Sequence, residues 1–271
     1  MLRKFSARLS AKDIPPMSSP AKLSLDALLD SHASWFRWIA GAKDFEKSVK
    51  SCVHWDALDA RSTAVVMERL KTPTPNQQTL LNSFYVTMVS GFEQFLRGKI
   101  NEIAAAHWKL ISNCAELDEN VRTIYLRESG RLLARIDSPP AHLALSRDDL
   151  CRGLGSFVAP SSPVALEPAV FSNVDSLLLL DNFFSRVNTL GVSINLDKLG
   201  REASIRKALL LDEKAGARQV ANALASELKI IRNHRNRIAH AGGEASEVSE
   251  ETFRTHLSLI QSIADVIHRI V

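Results

Sequence analysis

Arg235-Asn236-Arg237-Ile238-Ala239-His240, followed by Ala241-Gly242-Gly243, places a guanidinium, an amide and an imidazole within about one and a half helical turns. Arginine offers a planar fork of donors that matches phosphate oxygens. Histidine moves a proton near neutral pH. Together they suit the cutting of an RNA phosphodiester without a metal, in which the ribose 2′-hydroxyl attacks the adjacent phosphorus. The products are a 2′,3′-cyclic phosphate and a 5′-hydroxyl. His240 is the candidate for taking the 2′-hydroxyl proton or protonating the leaving oxygen. Arg235 is the candidate for stabilising charge on the transition-state phosphoryl oxygens. Asn236 would orient the histidine or the phosphate.

These residues sit in a pattern. Val220, Leu224, Leu228, Ile231 and Ile238 form an apolar stripe at steps of four, four, three and seven, and Arg235 occupies the missing step. A buried guanidinium needs an anion, an interface or a cleft. Glu93 and an RNA phosphate are the candidate anions. Arg232, Asn236 and His240 are spaced four apart and share one helical face. Lys229, Arg232 and Arg237 are candidate contacts to RNA backbone, with Glu227 the nearby opposing charge. The plain alternative is a set of cations favoured by the negative end of a helix, with His240 an ordinary residue of the last turn. His234 reads as a solvated neighbour.

The elements that must position this turn are helical. Ala217 to His240 reads as one long helix stopped by Gly242 and Gly243. Ser249 opens the last helix, with Glu250 and Glu251 in its first turn, and Phe253, Leu257, Ile260, Ile263, Ala264, Ile267 and Ile270 form its buried face. Residues 79–106 give the clearest pattern, from Leu81, Tyr85, Met88, Phe92, Phe95, Ile100 and Ile103. Glu93 interrupts that stripe, either as an edge residue or as a buried partner of a cation, and the edge is the commoner case. Residues 115–136 predict another helix. Five of the ten prolines fall between 139 and 168, so 139–172 reads as an irregular insertion, with a short helix near Arg147 to Leu154. Ser172 or Asn173 is the expected cap of a helix running to about Leu190 and ended by Gly191. A short helix is expected near Asp197 to Leu211.

Upstream, residues 23–72 predict a helical extension. Asp26 is its expected cap, Trp35, Phe36, Trp38 and Ile39 its buried bulk, and Asp59 to Leu70 a second helix. Thr72-Pro73-Thr74-Pro75-Asn76 breaks it from the main domain at 79–271. Residues 1–22 carry Arg3, Lys4, Arg8 and Lys12, then Pro15, Pro16 and Pro20, and read as a flexible basic tail.

Composition narrows the classes. Hydrophobic residues make up 45% of the 271, enough for a real core, and aromatics at 6% with few alternating segments favour an all-α fold. No apolar run approaches the roughly 20 residues of a membrane span. A net charge of +4 does not by itself mark a nucleic-acid binder. Cys52, Cys114 and Cys151 are widely separated and odd in number, which fits a reducing cytoplasm. The remaining histidines show no zinc spacing, and no phosphate-binding glycine loop or nucleophile elbow is present. No metal or cofactor is expected.

The 235–240 run with its flanking helices resembles the signature of HEPN-domain proteins. Phe92-Glu93-Gln94-Phe95-Leu96 is similar to the opening helix of the RiboL-PSP-HEPN and MAE-type HEPN subfamilies, and Phe171 to Val192 to their middle helix. The resemblance covers residues 79–271 and leaves 1–72 aside. It implies an all-helical bundle, a metal-independent ribonuclease, and a composite cleft shared by two copies, hence a homodimer. The family's arginine, adjacent polar residue and histidine fall on Arg235, Asn236 and His240. The implied settings are toxin–antitoxin and antiviral defence, with RNA as substrate and an antitoxin or defence-system protein as a further partner. Toxins whose antitoxin is a nucleotidyltransferase often carry a tyrosine two positions after the histidine. Gly242 stands there, which argues against that partnership. A non-catalytic RNA-binding or regulatory dimer and a purely structural helical protein are the rival expectations.

Overall fold

Ser19 begins the first helix: its hydroxyl accepts the Lys22 N–H at 3.3 Å, and Pro20 occupies the first helical position, where no N–H is needed. In the computed structural model, which describes residues 19–50, 77–137, 143, 145–158, 164–240 and 248–271, this helix (α1) spans Pro20–Lys50. Residues 20–22 therefore belong to a helix, not to a flexible tail. Asp26 lies inside the helix and pairs with Lys22 instead of capping an end. Trp35 is half exposed, so it is not buried bulk. The side chains of Phe36, Trp38 and Ile39, the expected helix at 59–70, the Pro-Thr-Pro break, the basic residues before Ser19, and Gly242 and Gly243 lie outside the described residues.

The central helix, α2, spans Gln77–Trp108. Tyr85, Met88, Val89, Phe92, Leu96 and Ile100 on it are fully buried. Its Gly91 and Gly98, seven apart, face α1 so closely that a Cβ would sit 2.2 Å from Leu28 Cδ2 and 2.5 Å from Ala21 Cβ. Leu25 and Leu29 of α1 are buried in this contact. Ser19 Oγ also donates to the Glu102 carboxylate at 2.7 Å.

A 3₁₀ turn at Cys114–Glu116 leads to α3 (Glu119–Leu133), whose first turn is capped by Asp118 accepting the Asn120 N–H at 2.8 Å. The stretch 139–172 is not irregular throughout. It contains α4 (Arg147–Val158), longer than expected, and the single turn α5 (Pro168–Phe171). Asp149 ties the start of α4 by accepting from the Ser146 N–H and hydroxyl.

The next helix, α6, spans Leu180–Thr189 and begins eight residues after Ser172. Ser172 and Asn173 do not cap it. Arg97 of α2 grips the carbonyls of Ser172 and Val174 at 2.5 and 3.0 Å, and Asn173 donates to Glu128 at 3.2 Å. The segment is thus held as a turn-containing connection. Gly191 ends α6 with φ +92°, as glycine readily does. The segment expected as one short helix near 197–211 is two: α7 (Leu196–Gly200) and α8 (Ala203–Ala208).

Glu128 of α3 is fully buried and pairs with Arg186 of α6 at 2.8 Å. Burial pushes its carboxyl upward, but Arg186, with Arg131 and Arg127 behind it, outweighs that and holds it below the usual carboxylate range. Then α9 spans Ala217–His240 and α10 spans Glu250–Ile270. Ser249 caps α10 by accepting the Thr252 N–H at 3.0 Å. Among the described residues all regular structure is helical, so the all-α expectation holds.

Candidate functional site

Three walls enclose a pocket of about 350 Å³. The α2 wall supplies Ser90, Glu93, Gln94 and Arg97. The connection before α6 supplies Asp175, Ser176 and Leu178. The α9 wall supplies Arg232, Arg235 and Asn236. The sequence-predicted residues Arg232, Arg235, Asn236 and Glu93 therefore meet in one cavity. Their meeting follows from helix spacing: 232, 235 and 236 are three and four apart and share a side.

Arg235 is half-buried, as its place in the apolar stripe requires, and its side chain extends into the pocket lining. Its Nη1 donates to Asn236 Oδ1 at 3.1 Å. The Nε atoms of Arg235 and Arg232 are buried and have no hydrogen-bond partner among the described residues. A buried donor left unmade is costly, so water, a ligand or an interface must satisfy these two.

Glu93 occupies the edge position, half-buried on the pocket wall. Among the described residues it makes no ion pair within 4.0 Å to Arg235, so the two charges face a shared space without closing on each other. The neighbouring Arg97 was not anticipated. Burial pushes its guanidinium downward, while Glu93 and Asp175 act to keep it charged. Its i, i+4 relation to Glu93 was the available sign. Asp175 and Ser176 carried none, because a loop wall has no periodicity.

His240 is the exposed last residue of α9, one turn beyond Asn236, and it does not line the pocket. Lys229 and Arg237 are exposed and also lie outside it. The polar strip is thus split, with two of its members in the pocket and the histidine past its rim.

The other side of α9 carries a second polar cluster. Tyr85 and His256, both buried, are joined by a 2.7 Å hydrogen bond at His256 Nδ1, and His256 Nε2 donates to Glu227 at 2.7 Å. Burial pushes His256 downward, against the opposing pull of Glu227. Burial likewise pushes the Tyr85 phenol well above its usual value. His234 is not a solvated neighbour. It is half-buried, with its ring 6.1 Å from Tyr85 and 6.2 Å from His256, and burial, then Arg237 and His256, push its pKa down. Among the described residues no three or more of His, Cys, Asp and Glu are grouped to hold a metal ion.

The RiboL-PSP-HEPN family model matches residues 59–271, more than half of the chain and every residue of the pocket. The chain belongs to the RiboL-PSP-HEPN family. No curated protein and no solved structure gives a significant match. HEPN domains are all-α and often ribonucleases, and the helical bundle agrees with the first of these. Within this HEPN protein α1 precedes the matched region, while α2 through α10 fall inside it. No helix among the described residues is long and apolar enough to cross a membrane.

Proposed function

We propose that this HEPN protein is a metal-independent RNA endonuclease that acts as a homodimer. The observation that carries the reading is the pocket in which Arg235 and Asn236 meet beside Arg232, with two guanidinium Nε atoms that have no partner among the described residues. The substrate supplies its own nucleophile. The 2′-oxygen forms a bond to phosphorus, the bond to the 5′-oxygen breaks, and no electrons leave the system. One proton departs the 2′-hydroxyl and one arrives at the 5′-oxygen. His240 handles one of these transfers. Arg235 holds the phosphoryl oxygens as negative charge builds on them. Asn236 fixes the Arg235 fork through its Oδ1. Arg232 contacts the backbone inside the cleft, and Lys229 and Arg237 contact it outside.

The split strip supports the homodimer reading. His240 stands beyond the rim of its own pocket, so a second copy placed about a two-fold axis would add a histidine to a cleft that lacks one. The setting proposed is a toxin or an antiviral effector in the cytoplasm, alongside an antitoxin or a defence-system protein. The rival reading, a non-catalytic RNA-binding or regulatory dimer, is favoured by the same displacement of His240.

Purified wild type, Arg235→Ala and His240→Ala proteins incubated with total RNA separate the two. Cleavage by wild type alone, with 2′,3′-cyclic phosphate ends detected by end-specific ligation, supports the nuclease. Equal behaviour of all three sinks it. Growth arrest on expression of wild type, and not of His240→Ala, would add the toxin setting.

A further inference from the structure

Glu93 and Asp175, which also help to keep Arg97 charged, place two carboxylates on the lining of the pocket that holds Arg232 and Arg235. The charges are sorted by wall. Arg97 is committed to the carbonyls of Ser172 and Val174. The remaining cations, Arg232 and Arg235, both stand on α9. The facing α2 wall offers the acceptors of Glu93, Gln94 and Ser90, and the loop adds Asp175 and Ser176. A ligand that satisfies both sides is anionic at one end and carries N–H donors at the other. A nucleotide has that form.

Size agrees. About 350 Å³ lies at the low end of small-molecule sites, enough for one nucleotide and too little for a duplex. Leu178 gives the pocket an apolar patch, and guanidinium planes stack on bases. The donor pattern then selects among bases. A carboxylate has two oxygens that accept a parallel pair of N–H bonds. Guanine alone among the four RNA bases carries two adjacent donors, N1–H and N2–H, on its Watson–Crick edge.

We propose that the pocket takes one unstacked guanine of single-stranded RNA, with Glu93 reading N1–H and N2–H while Arg232 and Arg235 hold the attached phosphate. This rests on the reading of the cleft as an RNA site. It makes Glu93 a specificity residue. The second amino hydrogen of guanine needs one more acceptor, which Asp175 or Ser176 supplies.

The test is binding without turnover. His240→Ala protein is titrated, by fluorescence anisotropy, into labelled five-nucleotide RNAs whose central base is guanine, adenine, cytosine, uracil or hypoxanthine in an otherwise uridine strand. Guanine should bind at least about tenfold more tightly than adenine, cytosine or uracil, the discrimination expected of a two-bond base contact. Hypoxanthine, which lacks the N2 amine, should fall between. Adding Glu93→Gln should level the four natural bases, whereas adding Arg235→Ala should weaken all of them together. Equal affinities, a guanine preference that survives Glu93→Gln, or no binding of any oligonucleotide would each overturn the proposal. If Glu93→Gln fails to fold, the hypoxanthine strand probes the same contact on an unaltered pocket, and parity with guanine overturns it. A guanine preference without cleavage by wild type would remove the nuclease and leave this site standing. Cleavage without a preference would do the reverse.

Discussion

Helix α9 carries two polar clusters, and they differ in how far their hydrogen bonds are satisfied. On one side Tyr85, His256 and Glu227 form a closed chain in which each heteroatom of the imidazole has a partner at 2.7 Å. On the other side Arg232 and Arg235 line an open pocket, with Nε atoms that have no partner among the described residues. A closed buried network strengthens itself and fixes one packing. An open one leaves donors that water, a ligand or a second chain can satisfy. The same helix is therefore held by one side and presents the other.

This contrast breaks if the clusters trade roles on mutation. Arg235→Ala should cut RNA cleavage by roughly a hundredfold to a thousandfold, the loss seen when a transition-state donor is removed. Its urea midpoint should stay at the wild-type value, because the lost group had few partners. Single-turnover rates and urea melts on the same samples check this, and a large stability loss with modest rate loss would place Arg235 in the closed class. His256→Leu should do the opposite. It leaves the Tyr85 hydroxyl and Glu227 without their partner and should cost about 3 kcal/mol in urea unfolding, with cleavage per folded molecule retained. Tyr85→Phe removes one hydroxyl and frees His256 Nδ1, a smaller loss of about 1 kcal/mol by the same melt.

Acidity sharpens the comparison further. His256 is pushed below the ordinary histidine value of 6.5 by burial, against Glu227. The unfolded chain therefore takes up its proton first as pH falls. The contribution of neutral His256 is complete above pH 6.5 and is lost progressively as pH falls through the lower folded value. Glu227→Gln keeps an acceptor at Nε2 but removes the opposing charge. It should cost less than about 1 kcal/mol at pH 7 and fall further behind wild type by pH 5. Urea melts at pH 7, 6 and 5 give the divergence, and parallel curves would show that Glu227 does not act on His256 through its charge.

Much of this was legible in the chain. The spacing of Leu224, Leu228, Ile231 and Ile238 placed α9, and Phe253, Ile260, Ile263 and Ile267 placed α10, because a helix writes its buried face at intervals of three and four. The gap in the α9 stripe marked Arg235. What stayed hidden depends on the third dimension. Ser172 and Asn173 have the chemistry of caps, but Arg97 and Glu128, distant in sequence, claim them for a loop. Asp26 was misread because Ser19 starts the helix two turns earlier. The link from Tyr85 to His256 spans 171 positions, and neither residue departs from its own helix pattern. Arg232 and Asn236 were placed on one face with His240, but spacing says nothing about where a pocket ends.

The seat of α1 on Gly91 and Gly98 has a consequence for where folding cooperativity stops. The family match begins at residue 59, yet Leu25 and Leu29 are as buried as residues within the match. Burying each is worth about 1.5–3 kcal/mol. Amide protons of residues 25–29 should therefore exchange with solvent as slowly as those on the facing turns of α2. A chain cut at the family boundary would open a glycine-floored trough along the helix that also carries Glu93 and Arg97.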